Sequence, residues 1–399
     1  MRVGVYLERF KPNTGGAYTF QSEVFRALLE TAGTADHEFA VLCEPEYFFD
    51  SMPAEASNMR AVRLDPPSYI ERLCVLLRNE SALMRWVLRR RGRIERAARR
   101  AGLDLVWYVC GGAYEPIDIP YIATVWDLQH RTHPWFPEVS ERQTWFVREL
   151  PTRAFLQRAS FVIVGTETGS DEVRQFFQVP QGRIRKLPHP TPMFALQTQA
   201  RGPEQGVAKH GLKSPFLFYP AQFWAHKNHV NLLLALKLLR ERDGLELPLV
   251  LAGTDRGNLA HVKALCGSLG LDSQVRFLGF VEQQDLVDLY RAAFALVYPS
   301  FSGPENLPPL EAFALGCPVI AADVPGAREQ LGDAAVFFDP RDPDKIAHAV
   351  KSVYTNTELR ESLLVRGRKR ASAWTTRDFV KGVYAMIDEF VPVRRCWKD

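Results

Sequence analysis

Lys227 stands where a phosphate-binding residue would be expected. It lies after the apolar run PFLFYPA and two residues before the segment HVNLLLALKLLRER, which is typical of a helix. Because helix N-termini favour acidic side chains, a lysine there indicates an anion held between its ammonium group and backbone N–H groups. We expect Gln222, His226 and Lys227 to lie at such a site. The alternative is a lysine that is only solvated.

The stretch SFSGPENLPPLEAFALG could bind sugar hydroxyls. Pro308 and Pro309 suit the first turn of a helix, where the missing N–H of proline costs nothing, and Asn306 can cap that helix. Glu311 then falls within about the first turn, and its carboxylate can accept two hydrogen bonds from a vicinal diol such as a ribose. The alternative is that Glu311 only complements the helix dipole.

Two loops of the amino-terminal half are also candidates. The sequence KPNTGGAYTF places Gly15 and Gly16 before an amphipathic segment, where the backbone can approach an anion closely; a flexible turn is the alternative. The sequence WDLQHRTHP crowds aromatic, acidic and basic side chains into one loop after YIATV, which favours function over a capped turn with surface histidines. Its candidate side chains are Trp126, Asp127, His130, Arg131 and His133.

A parallel sheet in each half of the chain must position these loops. Short apolar runs alternate with helix-length amphipathic segments, which is typical of doubly wound α/β domains. The predicted strands are RVGVYLE, EFAVLCE, DLVWYVC, YIATVWD, FVIVGT, PFLFYPA, LPLVLAGT, QVRFLGF, FALVYPS, PVIAAD and AVFFDP. Ligands of such sheets bind beyond the carboxyl ends of the strands. Gly253, Phe280 and Val281 lie at the carboxyl ends of two of these runs and could line a base pocket with backbone atoms; ordinary turns are the alternative.

Composition limits the class of protein. A length of 399 residues favours two domains, and 46% hydrophobic with 24% charged residues is typical of a globular chain. Residues 188–215, rich in Pro and Gly, are predicted as the linker. The scattered cysteines form no C-x-x-C pair, which argues against structural zinc and disulfides and favours a reducing cytoplasm. We expect neither a signal peptide nor a membrane span.

The carboxyl-terminal half resembles the retaining glycosyltransferases of family 4, which have the GT-B fold. The resemblance rests on YPAQFWAHKNHVNLLLAL, VRFLGFVEQQDLVDLYRAAFALVYPS and GPENLPPLEAFALGCPVIAADVPGAREQLGDAAVFFDP, with NTGGAYTF and TVWDLQHRTHP consistent with it. It implies two Rossmann-like domains facing a cleft. Residues 1–195 would bind the acceptor, together with a last helix at about 376–399 that crosses back, and residues 196–375 would bind a nucleotide-diphosphate sugar.

The resemblance implies roles for particular residues. Lys227 matches the family's diphosphate lysine, and Glu311 matches the second glutamate of an E-x7-E motif, which holds the donor ribose. Asp127 and Glu305 are candidates for sugar hydroxyl contacts or proton handling, so the catalytic set is Asp127, Lys227 and Glu305. The donor-binding set is Gly15, Gly16, Gln222, His226, Lys227, Gly253, Phe280, Val281, Gly303, Asn306, Leu307 and Glu311. The acceptor-binding set is Trp126, His130 and Arg131.

Three positions depart from the family pattern. The first glutamate of E-x7-E would stand at Gly303, with Glu305 two places later. Gln222 replaces the arginine expected five positions before the lysine, and Trp126 replaces the histidine expected before Asp127. The pattern otherwise resembles bacterial polysaccharide mannosyl- and rhamnosyltransferases, which favours GDP-mannose as the donor. A degenerate GT-B protein that binds a nucleotide sugar without transferring it is the alternative.

The implied reaction is transfer with retention at the anomeric carbon, without a metal or other cofactor. Lys227, His226 and helix N-terminal amides would stabilise the leaving diphosphate. The acceptor would be a glycan or lipid-linked sugar, in O-antigen or exopolysaccharide synthesis in the cytoplasm. A nucleotide-sugar epimerase of the same fold lacks the LPPLEA pattern and is disfavoured.

An arginine-rich segment supports a second interpretation, a membrane-binding protein. LMRWVLRRRGRIERAARRAG predicts a helix with Arg85, Arg89, Arg93, Arg96 and Arg100 within about 80° of one another. Such a face suits anionic headgroups or a lipid-diphosphate acceptor at the inner face of the cytoplasmic membrane. A solvated charged surface is the alternative. With a net charge of only +4 we expect no nucleic-acid binding.

Overall fold

The structure is a computed structural model that describes residues 1–10, 15–44, 58–65, 92–111, 117–141, 144–198, 207–213 and 215–397. The chain divides into two compact units. Unit 1 contains Met1–Trp135, Val139–Pro188 and Thr376–Asp399, and unit 2 contains Phe136–Glu138 and His189–Thr375. Unit 2 therefore includes a three-residue segment that is flanked on both sides by residues of unit 1.

Unit 1 is built on a parallel sheet, whose strands in the described residues are ordered β3-β2-β1-β4-β5-β6-β7. These strands are β1 (Arg2–Tyr6), β2 (Glu38–Cys43), β3 (Met59–Arg63), β4 (Leu105–Tyr108), β5 (Tyr121–Thr124), β6 (Phe161–Val164) and β7 (Ile184–Lys186). The five predicted strands of this half are confirmed. The two edge strands were not predicted, because MRAVR and IRK are short and polar.

Unit 2 is built on a second parallel sheet, ordered β10-β9-β8-β11-β12-β13. Its strands are β8 (Leu217–Pro220), β9 (Leu249–Ala252), β10 (Val275–Gly279), β11 (Ala295–Tyr298), β12 (Val319–Ala322) and β13 (Ala335–Phe338). All six were predicted. Their β-branched, aliphatic and aromatic residues are mostly buried, as expected for strands with helices on both faces.

Helices connect the strands of both sheets. They are α1 (Gly16–Thr31), α2 (Arg93–Arg100), α3 (Gln129–Thr132), α4 (Pro137–Ser140), α5 (Thr144–Arg158), α6 (Glu167–Phe177), α7 (Met193–Gln197), α8 (His229–Asp243), α9 (Leu259–Ser268), α10 (Gln283–Ala292), α11 (Leu307–Leu315), α12 (Ala327–Leu331), α13 (Pro343–Thr355), α14 (Thr357–Ser372) and α15 (Thr376–Arg394). Short 3₁₀ turns lie at Ala32–Thr34, Gln181–Arg183 and Ala225–Lys227. The prediction of two doubly wound domains is thus confirmed.

The sheet order of unit 2 identifies where a ligand could bind. Connections from β8 lead to β9 on one side, whereas β11 lies on the other side of β8. At such a switch point the loops after the two strands diverge and leave a crevice beyond their carboxyl ends. The switch point of unit 1 lies between β1 and β4 in the same way.

The last helix, α15, belongs to unit 1, as the family resemblance implied. Phe379 packs edge-to-face on Phe20 of α1, with ring centroids 5.4 Å apart. The Tyr384 hydroxyl is hydrogen-bonded to the Thr31 hydroxyl at 3.0 Å. The chain therefore returns to its first helix after completing unit 2.

Part of the predicted linker is structured. The chain enters unit 2 at His189, and Phe194 and Ala195 of α7 are buried in the hydrophobic core of that unit. Among the residues described between 188 and 215, the interpretation as a linker is therefore wrong for this first part. Composition misled the prediction, because the short apolar run MFAL stands among prolines and polar residues.

Only the end of the predicted arginine-rich helix lies among the described residues. Arg85 and Arg89 lie outside them, and α2 begins at Arg93. The expectation that Arg93 joins an exposed cationic face is wrong, because its side chain is 13% exposed and binds the Glu44 carboxylate at 2.6 Å. In the part of the chain that is described, no helix is both long and apolar enough to cross a membrane.

Candidate functional site

The loops after β8 and β11 bind each other at the switch point of unit 2. The N–H of Phe301 donates to the His226 carbonyl at 2.9 Å. The Asn228 amide donates to the carbonyls of Pro299, at 3.0 Å, and Pro340, at 2.7 Å. Asn228 is buried and has a φ of 58°, which lies in the left-handed region that asparagine tolerates. Helix α8 starts at the next residue. The two loops therefore form one continuous surface.

Lys227 is a half-buried cation on this surface. Its Nζ donates to the Tyr298 hydroxyl at 3.2 Å, and that hydroxyl donates to Oδ1 of Asn306 at 2.8 Å. The Tyr219 hydroxyl donates to the Lys227 carbonyl at 2.8 Å. These bonds fix both the backbone and the ammonium group of Lys227. An ammonium group beside the N-terminus of α8 can bind an anion there.

Asn306 stands at the N-cap position of α11, but its side chain does not cap the helix. Its Nδ2 donates to the Gly303 carbonyl at 3.0 Å, while its backbone N–H and carbonyl bind the Gln330 side chain at 2.9 and 3.0 Å. The expected side-chain cap is therefore wrong, because Tyr298 and Gly303 occupy the Asn306 amide. The proline at the start of α11 is as predicted.

Glu311 lies on α11 just past the first turn and is 5% exposed. Its Oε2 accepts a hydrogen bond from the Tyr290 hydroxyl at 2.8 Å. Burial raises the pKa of Tyr290 well above its usual value, so this tyrosine remains a neutral donor. The bond orients the carboxylate, which has enough lone pairs to accept further hydrogen bonds from a diol.

The conformation of the loop after β11 explains why position 303 is glycine. Its φ is +117°, and a Cβ there would lie 2.8 Å from Oδ1 of Asn306. An L-residue is strained at this φ, and Asn306 is held in place by Tyr298. The loop as folded therefore excludes the glutamate that the family pattern places there.

Glu305 is covered rather than presented to a ligand, with its side chain 3% exposed. Its Oε1 accepts the N–H of His189 at 2.6 Å. Burial raises the pKa of Glu305 to about 8 and lowers that of His189 to about 4, so both side chains are mostly neutral at pH 7. Glu305 thus ties the loop after β11 to the residue at which the chain enters unit 2. Its catalytic role stays a prediction.

Gln222 and Gly253 lie where the loops after β8 and β9 touch. The Gln222 amide donates to the Thr254 hydroxyl at 3.3 Å, and its Oε1 accepts from the Trp224 ring N–H at 3.1 Å. A Cβ at Gly253 would lie 2.2 Å from the Ala221 carbonyl, so this close approach requires glycine. Both residues shape the loops, whatever ligand they contact.

The remaining predicted donor residues of unit 2 differ in exposure. Phe280 is 51% exposed and Val281 is half-buried, whereas Leu307 is buried in the first turn of α11. His226 is hydrogen-bonded to Glu138, a residue that no sequence pattern had indicated. Tyr298 and Tyr290 were also missed, since Tyr298 ends an apolar strand and Tyr290 lies on the buried face of an amphipathic helix, and both patterns predict only core packing.

The predicted site residues of the amino-terminal half belong to unit 1. Gly15 has φ of 81° and directly precedes α1, as expected for a turn that needs glycine, and Gly16 begins the helix. Trp126 packs on Phe20 with ring centroids 5.4 Å apart. Their expected contacts with donor or acceptor stay predictions.

Asp127 and Arg131 form local ion pairs, and His130 forms a local hydrogen bond. Asp127 accepts the Gln129 N–H and binds Arg148, each at 2.9 Å. The side chains of His130 and Arg131 both bind the buried carboxylate of Glu149. Burial lowers the pKa of His130 to about 4, so its ring is neutral and covered. As placed, His130 and Arg131 stabilise the loop, and their acceptor contacts stay predictions.

The fold of the chain is the GT-B fold. The structure of HepE from Anabaena in complex with UDP-glucose matches it with a TM-score of 0.72, covering 98% of this chain and 100% of that one at 15% identity. At this identity the likeness concerns the fold alone. Among the described residues, no group of three or more His, Cys, Asp or Glu side chains is placed to hold a metal ion.

Sequence comparison shows which known proteins the carboxyl-terminal half of the chain resembles. Residues 204–370, which include Lys227 and Glu311, match the family of glycosyl transferases group 1. The chain is 34% identical over 161 residues to O-antigen chain mannosyltransferase B from Escherichia coli, covering 40% of this chain and 42% of that protein. It is 29% identical over 249 residues to D-inositol 3-phosphate glycosyltransferase from Salinispora arenicola, covering 58% and 55%. The chain thus spans about half the length of these curated relatives.

Proposed function

We propose that the protein is a glycosyltransferase whose unit 2 binds a nucleotide-diphosphate sugar. The observation that supports this most is the hydrogen-bonded chain Lys227–Tyr298–Asn306 at the sheet switch point, within the residues that match glycosyl transferases group 1. Lys227 would bind the diphosphate and Glu311 the ribose diol. The binding of UDP-glucose by HepE, which has the same fold, supports a ligand of this class.

The proposed sugar is mannose, supplied by GDP-mannose and added to a glycan or lipid-linked acceptor of a cell-surface polysaccharide. The sequence pattern resembles bacterial polysaccharide mannosyltransferases, and the O-antigen relative is named as one. The proposed reaction is the metal-independent, retaining reaction of family 4. Lys227, His226 and the N-terminal amides of α8 would stabilise the departing diphosphate by preorganised charge and dipoles.

A panel of nucleotide sugars tests the proposal. We expect GDP-mannose to raise the thermal unfolding midpoint, and transfer to an acceptor to proceed in EDTA with the anomeric configuration kept, as followed by NMR. Lys227→Ala should weaken binding about 10-fold or more, since it removes a charge-assisted hydrogen bond, while Lys345→Ala, at an exposed position on α13, should not.

Two outcomes would contradict the proposal in different ways. Absence of binding to any GDP-, UDP- or dTDP-sugar would refute a glycosyltransferase. Binding of a nucleotide sugar, with unchanged donor after incubation with every acceptor tried and no hydrolysis, would favour the degenerate GT-B protein. Glu311→Ala should weaken nucleoside binding in either case, because the ribose contact would be lost.

A further inference from the structure

We propose that Glu138 is a positioning residue for His226, and that the pair presents a charged imidazole to the donor diphosphate. This rests on the proposed function, which places the diphosphate at Lys227. Glu138 belongs to Phe136–Glu138, the segment of unit 2 that is flanked by residues of unit 1. It lies outside residues 204–370, which match the glycosyl transferases group 1 family.

Two hydrogen bonds from His226 converge on one oxygen of Glu138. Oε1 of Glu138 accepts the backbone N–H of His226 at 3.2 Å and a second hydrogen bond from the ring Nδ1. Both side chains are largely covered, with 12% of His226 and 9% of Glu138 exposed. The ring centroid of Phe136 lies 6.1 Å from that of the imidazole, and Phe136 stacks on Phe301 with ring centroids 5.9 Å apart. The ring of His226 is therefore fixed in one orientation.

The pairing determines the chemistry of the imidazole. Because an ionised carboxylate can only accept, Nδ1 carries a proton and Nε2 is the nitrogen that can bind a ligand. Burial would raise the pKa of Glu138, but the hydrogen bonds from His226 outweigh it and hold that pKa below its usual value. Glu138 is therefore ionised at neutral pH, and its charge favours the imidazolium form of His226.

Without Glu138, the positive charge nearest to the imidazole would oppose its protonation. The adjacent Lys227 ammonium disfavours a second positive charge on His226. His229 is the next histidine along the chain. It is neutral, because burial and the charges of Lys227 and His226 lower its pKa to about 3. Glu138 thus offsets Lys227, so that a lysine and an imidazolium can stand side by side at the start of α8. Two adjacent cations with fixed donors suit a diphosphate better than one.

The pH dependence of His226 in the whole protein tests the proposal. In Glu138→Gln we expect the His226 ring, followed by NMR, to lose its proton about 1 pH unit or more below the wild type. The affinity for GDP, measured by calorimetry between about pH 5 and pH 8, should fall mainly at the upper end. Glu246→Gln, at an exposed position before β9, is the matched control and should change neither.

The outcomes distinguish a role of Glu138 in positioning His226 from a role in structural stability alone. An unchanged His226 titration in Glu138→Gln, or an affinity loss of equal size at every pH, would overturn the proposal. In a His226→Gln background, Glu138→Gln should add no further loss of GDP affinity; an additional loss would also overturn it. If the wild type bound no nucleoside diphosphate, the proposed function would fail, while the titration would still report whether Glu138 controls the ring.

Discussion

At the scale of single residues, the candidate site depends on side chains that the sequence presents as core. Tyr298 ends an apolar strand, yet its hydroxyl links Lys227 to Asn306. Tyr290 is fully buried on α10, yet it orients the Glu311 carboxylate. Lys227 could be predicted as a candidate because a lysine at a helix N-terminus is unusual, and Glu311 because it matches the second glutamate of the family's E-x7-E motif. Their tyrosine partners could not, since tyrosine is ordinary in a core.

The strained glycine of this site gives a prediction at the same scale. Gly303→Glu would restore the family motif, but we expect it to destabilise unit 2 by about 1–3 kcal/mol, since it forces an L-residue into a sparsely populated backbone region. Urea unfolding measures this, with Gly267→Ala in helix α9 as a control without such strain. A variant as stable as the wild type, with tighter nucleotide binding, would contradict the structural explanation.

Glu305 gives a prediction about pH. Its folded-state pKa of about 8 lies above the 4.5 of an ordinary glutamate, so its neutral form contributes stability below pH 4.5 that is lost as the pH rises through 8. Glu305→Gln keeps an acceptor for the His189 N–H and has no charge to bury. We therefore expect its unfolding midpoint to improve relative to the wild type between about pH 5 and pH 8. A constant difference across that range would show that burial does not perturb this carboxyl group.

At the scale of elements, apolar runs were sufficient to predict the central strands of both sheets and the edge strands of unit 2, but not the edge strands of unit 1. β6 consists of FVIV and is buried throughout, and its pattern has no competing interpretation. β3 reads MRAVR and β7 reads IRK, because an edge strand has one neighbour and is partly exposed to solvent. α7 was missed for a different reason, since two buried residues are too few to show helical periodicity.

The contact between α1 and α15 can be tested at this scale. Phe379→Ala should destabilise unit 1 by about 3–5 kcal/mol, because the ring is 1% exposed and its loss leaves a cavity against Phe20. Tyr384→Phe, which only removes the hydroxyl that meets Thr31, should cost about 1 kcal/mol. Denaturant unfolding followed separately for the two units would show the losses in unit 1. Equal stability of Phe379→Ala and the wild type would mean that α15 does not support the unit.

At the scale of the whole molecule, the sequence predicted two domains and a returning helix, but not the three-residue segment that carries Glu138. Phe136–Glu138 lies at the start of the short helix α4, and the residues on both sides of it belong to unit 1, so nothing in its local pattern indicates unit 2. Its assignment follows from contacts with His226 and Phe301, which are distant in sequence. Long-range pairing of this kind is set by tertiary structure rather than by local propensity.

Hydrogen exchange with GDP present tests the placement of the donor in the whole chain. We expect slower exchange at residues 222–229 and 300–307, because ligand contacts would stabilise the two loops that already share hydrogen bonds. The protection should disappear in Lys227→Ala and remain in Lys345→Ala. Protection confined to unit 1 would contradict the assignment of the nucleotide to unit 2.

The return of α15 to unit 1 also has a consequence for synthesis on the ribosome. Chains emerge from the amino end, and domains usually fold in that order. Here unit 1 lacks the helix that covers Phe20 and Thr31 until residues 376–394 have emerged, whereas every segment of unit 2 has been made by residue 375. Unit 2, although it begins later in the chain, can therefore complete its fold before unit 1, and the face of α1 that contacts α15 lacks this partner until α15 has been made.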